Sequence, residues 1–371
     1  MSNGKLTIGF VRRGYSASGG AEAYLKRLAK GIVHLGHDTQ LFTTNEWPSD
    51  QWPFGRIARL RARTTIAFAD ELEKLRPQIR CDVLMSLERV RRCDVYRAGD
   101  GVHRAWLKRR DRFSTPLQRF FRGFQRKHAD IVRLEDSLLA DRGARRVIAN
   151  SEMVRNEIID LYGYPEDEID IVRNGVPLEE FRFDAEVRAR ARAWLQLKNS
   201  DIAVLFVGSG WERKGLRFAV DAVEACRDRR VRLFVAGRGD HRPYKSQRAH
   251  FLGEALDLRR VYAAADIFIL PTIYDPFSNA CLEALASGLP VITTPANGFS
   301  EIIENDVHGT IVDLPNDVTA LRGALDLWSD DARRSAARSA IIERASQFDI
   351  SKNVAKTLEI LVQLAASAAS T

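Results

Sequence analysis

Residues 203–226, AVLFVGSGWERKGLRFAVDAVEAC, decide the fold class. An unbroken apolar run, Ala203 to Val207, ends at the Gly208-Ser209-Gly210 turn, and helical spacing opens after Gly215. The apolar run reads as a strand and the stretch after Gly215 as a helix. The pattern repeats downstream. VRLFVAG (231–237) and DIFILPT (266–272) read as strands, with LRRVYAAA (258–265) a short helix between them. NACLEALASG (279–288) reads as a helix closing on glycine, and LPVITTP (289–295) as another strand. Alternating strand and helix of this kind predict a Rossmann-like layer.

The amino-terminal half carries the same alternation. KLTIGFV (5–11) and DTQLFTT (38–44) read as strands around a helix whose apolar face runs through Tyr24, Leu28, Ile32 and Leu35 and stops at Gly36. CDVLMSL (81–87) and ARRVIANS (144–151) are further strands, and NSEMVRNEIIDLYG (150–163) is a helix opened by a capping residue. At DIVRNGVPLEEF (170–181), Asn-Gly and Val-Pro are turn signals that mark a domain boundary. The expected organisation is α/β: a Rossmann-like domain over 1–177, a second over 178–349, and a helix over 350–371 packing back on the first. Open α/β sheets bind ligands at the carboxyl ends of their strands, which places the expected cleft between the two domains.

Composition narrows the function. A chain of 371 residues with 45% hydrophobic and 29% charged residues is of globular type and long enough for two domains. No apolar run approaches the roughly 20 residues that cross a bilayer, and the first residues lack a secretory leader, so a cytoplasmic location is expected. Cys81, Cys93, Cys226 and Cys281 are scattered without metal-binding spacing. The net charge of +8 calls for an anionic partner. Basic and aromatic residues concentrate between Arg104 and Arg133. There Lys108, Arg109, Arg110, Arg119, Arg122, Arg126 and Lys127 are expected to form a patch for an anionic membrane surface, with a core-facing helical pair as the competing reading.

Three constellations can carry chemistry. Gly19-Gly20 opens the first helix, where free N–H groups and the helix dipole suit a diphosphate. Gly208 to Gly215 places Arg213 and Lys214 at a strand-to-helix turn, a planar fork beside a point charge that neutralise a pyrophosphate. In Asp275-Pro-Phe-Ser-Asn-Ala-Cys-Leu-Glu283, Ser278 or Asn279 caps the helix that bears Glu283, whose carboxylate accepts paired hydroxyls. Each has a plain structural alternative: a tight turn, a solvated basic turn, a capped helix.

Taken in order, these motifs and the run FLGEALDLRRVYAAADIFILPTIYDPFSNACLEALASGLPVITTPANGFSEII resemble the family 4 glycosyltransferases of GT-B fold, as does Arg173-Asn174-Gly175-Val176. Within that family the chain is most similar to lipopolysaccharide core glucosyltransferases, on Asp94 to Asp100 and the basic segment after it. The resemblance implies a retaining transfer of a hexose, glucose from UDP-glucose, to a lipid-linked glycan such as a core heptose. It is expected without a metal or other cofactor, on the inner face of the cytoplasmic membrane. The nucleotide sugar is then bound by Gly19, Gly20, Asn174, Gly208, Arg213, Lys214 and Glu283. Phe277, Ser278 and Asn279 offer amides to the sugar, and Gly298 closes the pocket. Asp275 stands where the family has Glu. On the acceptor side, Asp100 is the first choice as hydrogen-bond partner or base and His103 the second; Arg213 and Lys214 stabilise the leaving group. Two other classes remain open: a nucleotide-sugar 2-epimerase of the same architecture, and a non-catalytic protein binding anions or nucleic acid.

Overall fold

In the computed structural model, residues 4–16, 19–113, 126–254 and 257–369 are described. The chain divides into two units. The first runs to Arg173 and takes up the carboxyl-terminal stretch from Ser351; the second is Asn174–Ile350.

The first unit is built on a seven-stranded sheet: β1 (Thr7–Val11), β2 (Asp38–Thr43), β3 (Gly55–Arg59), β4 (Val83–Ser86), β5 (Cys93–Arg97), β6 (Ala144–Ala149) and β7 (Ile169–Ile171). Their order is β3-β2-β1-β4-β5-β6-β7, all parallel. The order reverses between β1 and β4, and at such a switch point the loops leaving the two strands diverge and open a crevice. β3 and β7 were not legible beforehand. Each is an edge strand, β3 is exposed or half-buried throughout, and neither shows an apolar run.

The second unit holds β8 (Ile202–Val207), β9 (Val231–Ala236), β10 (Ala249–Gly253), β11 (Ile267–Leu270), β12 (Val291–Thr293) and β13 (Gly309–Ile311), in the order β10-β9-β8-β11-β12-β13. All are parallel, with a switch point between β8 and β11. Every residue of β8 and β11 is buried, which is why both read as continuous apolar runs. Below the site a buried Asp266 is satisfied by Arg188, Arg192 and the Ala203 amide, which ties the helix Ala185–Trp194 to the sheet. The fold is the α/β, double Rossmann-like architecture expected from the sequence.

Candidate active site

In the second unit the turn after β8 is shaped by glycine. Gly208 has φ +143°, and a Cβ there would lie 2.6 Å from the Lys214 Cδ; Gly215 has φ +75°, and a Cβ there would collide with the Pro271 carbonyl oxygen. Both positions demand glycine. Between them the short helix Trp211–Lys214 is stitched to the loop after β11. The Arg213 carbonyl accepts from the Thr272 hydroxyl at 2.8 Å and the Ile273 amide at 2.9 Å. Lys214 Nζ then lies 3.0 Å from Asp275 Oδ2, with side chains 13% and 7% exposed. The Arg213 guanidinium is half-buried and has no hydrogen bond or ion pair among the described residues. The structure thus separates the two cations: one compensated and fixed, one available.

Asn297 organises the facing loops. It is fully buried, and its side-chain oxygen accepts from the amides of Ser278 (3.2 Å) and Phe299 (3.1 Å). Its nitrogen donates to Thr293 Oγ1 at 3.0 Å and Cys281 Sγ at 3.3 Å. Burial, the largest influence, pushes the Cys281 thiol up to about 12, so it is a neutral packing group. The helix Asn279–Ala286 is capped by Ser278, whose hydroxyl accepts from the Cys281 amide. Glu283, on this helix, accepts from the Tyr262 hydroxyl at 3.1 Å.

These bonds revise the amides expected at the sugar. Ser278 spends both amide and hydroxyl internally, and the Gly298 amide donates to the Asp275 carbonyl at 2.9 Å. The amides of Phe277 and Asn279 keep no bond among the described residues. Asn174 is a brace, its side-chain nitrogen donating to the Phe277 carbonyl at 3.0 Å and Asn279 Oδ1 at 2.6 Å. Asp275, expected at the donor, accepts from Lys214 Nζ at 3.0 Å. A cavity of 480 Å³ in the same unit, lined by Phe181, Arg182, Arg190, Arg260 and Ser287, shares none of these residues.

In the first unit, groups converge at the carboxyl ends of β1, β4 and β5. The Arg12 guanidinium lies 3.0 Å from Glu22, 3.0 Å from Glu88 and 3.4 Å from Asp100. Burial opposes the Arg12 charge, but Glu88, Asp100 and Glu22 outweigh it and hold its pKa above the ordinary value. Burial pushes the Glu88 carboxyl up against the pull of Arg12. The Gly19-Gly20 turn differs from expectation. Glu22, in the first turn of the helix Gly20–His34, folds its carboxylate back over Gly19, where a Cβ would strike it. The Gly19 amide donates to the Ser16 carbonyl at 3.0 Å, and the Glu22 carboxylate pairs with Arg12, so a diphosphate there would have to share the helix end with this ion pair.

Asp100 follows β5 with its side chain half exposed. His103 opens the helix His103–Arg112, whose cap, Val102, has no side-chain acceptor. Glu135, 1% exposed, replaces it, accepting from the amides of His103 (2.7 Å) and Arg104 (3.1 Å), the Tyr162 hydroxyl (2.7 Å) and Arg89 Nε (2.9 Å). Burial works against this carboxylate, yet Arg89 and the amide donors prevail and hold it below its ordinary pKa. The sequence hid this residue because a capping acid is looked for beside the helix start, and Glu135 is 32 positions away.

The expected membrane patch is smaller than it reads. Arg110 is buried, 9% exposed, and Arg109 bonds Glu157 at 2.7 Å, so neither faces solvent as a free cation. Lys108 is exposed. Arg119 and Arg122 lie outside the described residues, as do the side chains of Arg126 and Lys127, which begin the helix Arg126–Leu139. Among the described residues no helix is long and apolar enough to cross a membrane.

Comparison with known proteins places this geometry. Residues 18–180 match the profile of Glycosyltransferase Family 4, and residues 201–331 that of Glycosyl transferases group 1. A "probable transglycosylase" of Burkholderia thailandensis is 30% identical over 378 residues, 98% of each chain. A glycosyltransferase of Methanocaldococcus jannaschii, itself uncharacterized, is 27% identical over 237 residues; the match spans 59% of this chain and 61% of that one. Among solved structures, WaaG, a glycosyltransferase involved in lipopolysaccharide biosynthesis, superposes with a TM-score of 0.82 at 19% identity, over 95% of this chain and 99% of the other. HepE of Anabaena, in complex with UDP and glucose, gives 0.74 at 19% identity, over 96% and 99%. With a profile matched in each unit and a relative aligned over 98% of its length, the chain belongs to the family 4 glycosyltransferases of GT-B fold.

Proposed function

We propose that the chain transfers a hexose, glucose from UDP-glucose, with retention of configuration to a lipid-linked glycan such as a lipopolysaccharide core heptose. The observation that carries the donor site is the Arg213 guanidinium, unpaired among the described residues, beside the Lys214–Asp275 pair at the switch point of the second sheet. An anion entering there gains a bidentate partner in Arg213, while Lys214 is already oriented. Glu283 takes the ribose hydroxyls, and the open amides of Phe277 and Asn279 take sugar oxygens. The UDP and glucose bound by HepE support this choice of donor.

Asp275, the carboxylate nearest the Arg213–Lys214 turn among those described above, is committed to Lys214 and is not placed as a nucleophile. Retention then follows from front-face attack, in which the departing phosphate accepts the acceptor's proton and the cations stabilise the leaving charge. Because a fixed ammonium and a guanidinium serve the diphosphate, transfer is expected to persist in EDTA. Association with an anionic inner leaflet belongs to the same proposal, through Lys108 and its neighbours, and reversing the charge of Lys108 should weaken liposome flotation.

A thermal-shift panel of nucleotide sugars tests the donor. A ligand at a hundredfold its dissociation constant adds about 2.7 kcal/mol of stability. UDP-glucose should raise Tm most, and a panel in which no UDP-sugar shifts it overturns the reading.

A further inference from the structure

Three side chains of the first unit form a hydrogen-bonded line. His103 Nε2 stands 3.0 Å from His128 Nδ1, and His128 Nε2 stands 3.2 Å from Arg110 Nη1. A guanidinium has donors and no acceptor, so Arg110 donates and His128 Nε2 accepts. A neutral His128 then carries its proton on Nδ1 and donates it to His103. With Nε2 of His103 accepting, the proton of that ring sits on Nδ1, which has no partner among the described residues.

We propose that Arg110, acting through His128, fixes His103 as a neutral imidazole protonated on Nδ1, so that His103 offers an N–H to an oxygen of the bound sugar and does not serve as the base. This rests on the glycosyltransferase reading above for its ligand, and on geometry alone for its tautomer. Arg110 and His128 are positioning residues. The alternative states each lose a bond. Protonating His103 sets an N–H on Nε2 against the N–H of His128, and His128 can accept there only by moving its proton to Nε2, against Arg110.

The surroundings agree. The two rings lie with centroids 5.1 Å apart and planes 31° from parallel, and Arg110 is buried. The charged groups acting on His103 come from three places: Arg89 after β4, Glu135 and His128 on the helix Arg126–Leu139, and Arg110 on its own helix. Burial first, then Arg89, drive the His103 imidazole down to about 4, with Glu135 pulling the other way. Asp100, half exposed and beside Arg12, is left as the acceptor-side hydrogen-bond partner, in keeping with proton transfer to the departing phosphate.

The test is a long-range 1H–15N correlation of the imidazole nitrogens in histidine-labelled full-length protein near neutral pH. The chain has seven histidines, and His103 is assigned by its loss in His103→Asn. A protonated Nδ1 and bare Nε2 on His103 are expected; an Nε2–H ring, or an even mixture of tautomers, overturns the proposal. Arg110→Met removes the donor and should mix the tautomers, while burial and Arg89 still hold His103 below its ordinary value. Arg110→Lys, which keeps a donor, should restore the wild-type spectrum. An unchanged spectrum in Arg110→Met removes Arg110 from the account, and if that variant fails to fold, the wild-type spectrum still decides the tautomer. The spectra need no donor sugar, so the expected tautomer in a chain that transfers no sugar would overturn the enzymatic reading and leave the imidazole line standing.

Discussion

Lys214 Nζ and Asp275 Oδ2 form a nearly buried ion pair, 3.0 Å long, that joins the turn after β8 to the loop after β11 across the switch point of the second sheet. Breaking such a pair from one side strands a charge, which costs about 3–5 kcal/mol. Asp275→Ala should therefore lower Tm and weaken transfer together. Lys214→Ala should lower kcat about a hundredfold, the usual cost of removing a group that stabilises transition-state charge. In the double variant part of the lost stability should return while activity stays low. Thermal melts and initial rates across this cycle check the coupling; additive stability losses would show that the pair acts independently.

Arg213 should behave differently from its neighbour. Its guanidinium has no partner among the described residues, so Arg213→Ala is expected to leave unfolding stability within about 0.5 kcal/mol of wild type. Donor affinity should fall at the same time, by tenfold or more for one charge-assisted contact worth about 1.5–3 kcal/mol. A melt and a donor titration on the one variant read both.

Asn297 is expected to matter for the shape of the site without touching the donor. Asn297→Ala removes four bonds and leaves the buried amides of Ser278 and Phe299 without acceptors, a loss of about 2–4 kcal/mol. Differential scanning calorimetry measures the loss, and kcat should fall while UDP affinity holds, because the loop it braces faces the sugar. Loss of UDP affinity without loss of stability would contradict this role.

Acid should destabilise the first unit through two groups. His103 lies at about 4 in the fold against an ordinary 6.5, so the unfolded chain binds a proton that the folded chain refuses, and stability falls as pH drops through that window. Glu135 is depressed below its ordinary value of 4.5, so its contribution is complete above that value and is lost as pH falls through its folded value. Thermal melts of wild type and His103→Asn between these limits should converge as pH falls. Parallel curves would show that His103 is not held neutral by the fold.

What could be read from the sequence was what is local or buried on both faces. β8, β9 and β11 announce themselves as apolar runs, and Arg213, Lys214 and Glu283 lie within a few residues of turns that place them. The short and edge strands β3, β7, β10 and β13 carry no such run. Partners distant in the chain were equally hidden. Arg12 meets Asp100 across 88 positions and Lys214 meets Asp275 across 61, and residue types alone do not reveal that Ser278 has already spent its amide on Asn297. The fold follows from periodicity, whereas the commitments of individual polar atoms need coordinates.

Binding of UDP by isothermal titration calorimetry to wild type, Arg213→Ala and Glu283→Ala tests the donor site most directly. Wild type should bind, both variants should bind at least about tenfold more weakly, and their Tm should stay near that of wild type. Equal affinity in all three proteins would contradict the placement of the nucleotide at Arg213 and Glu283.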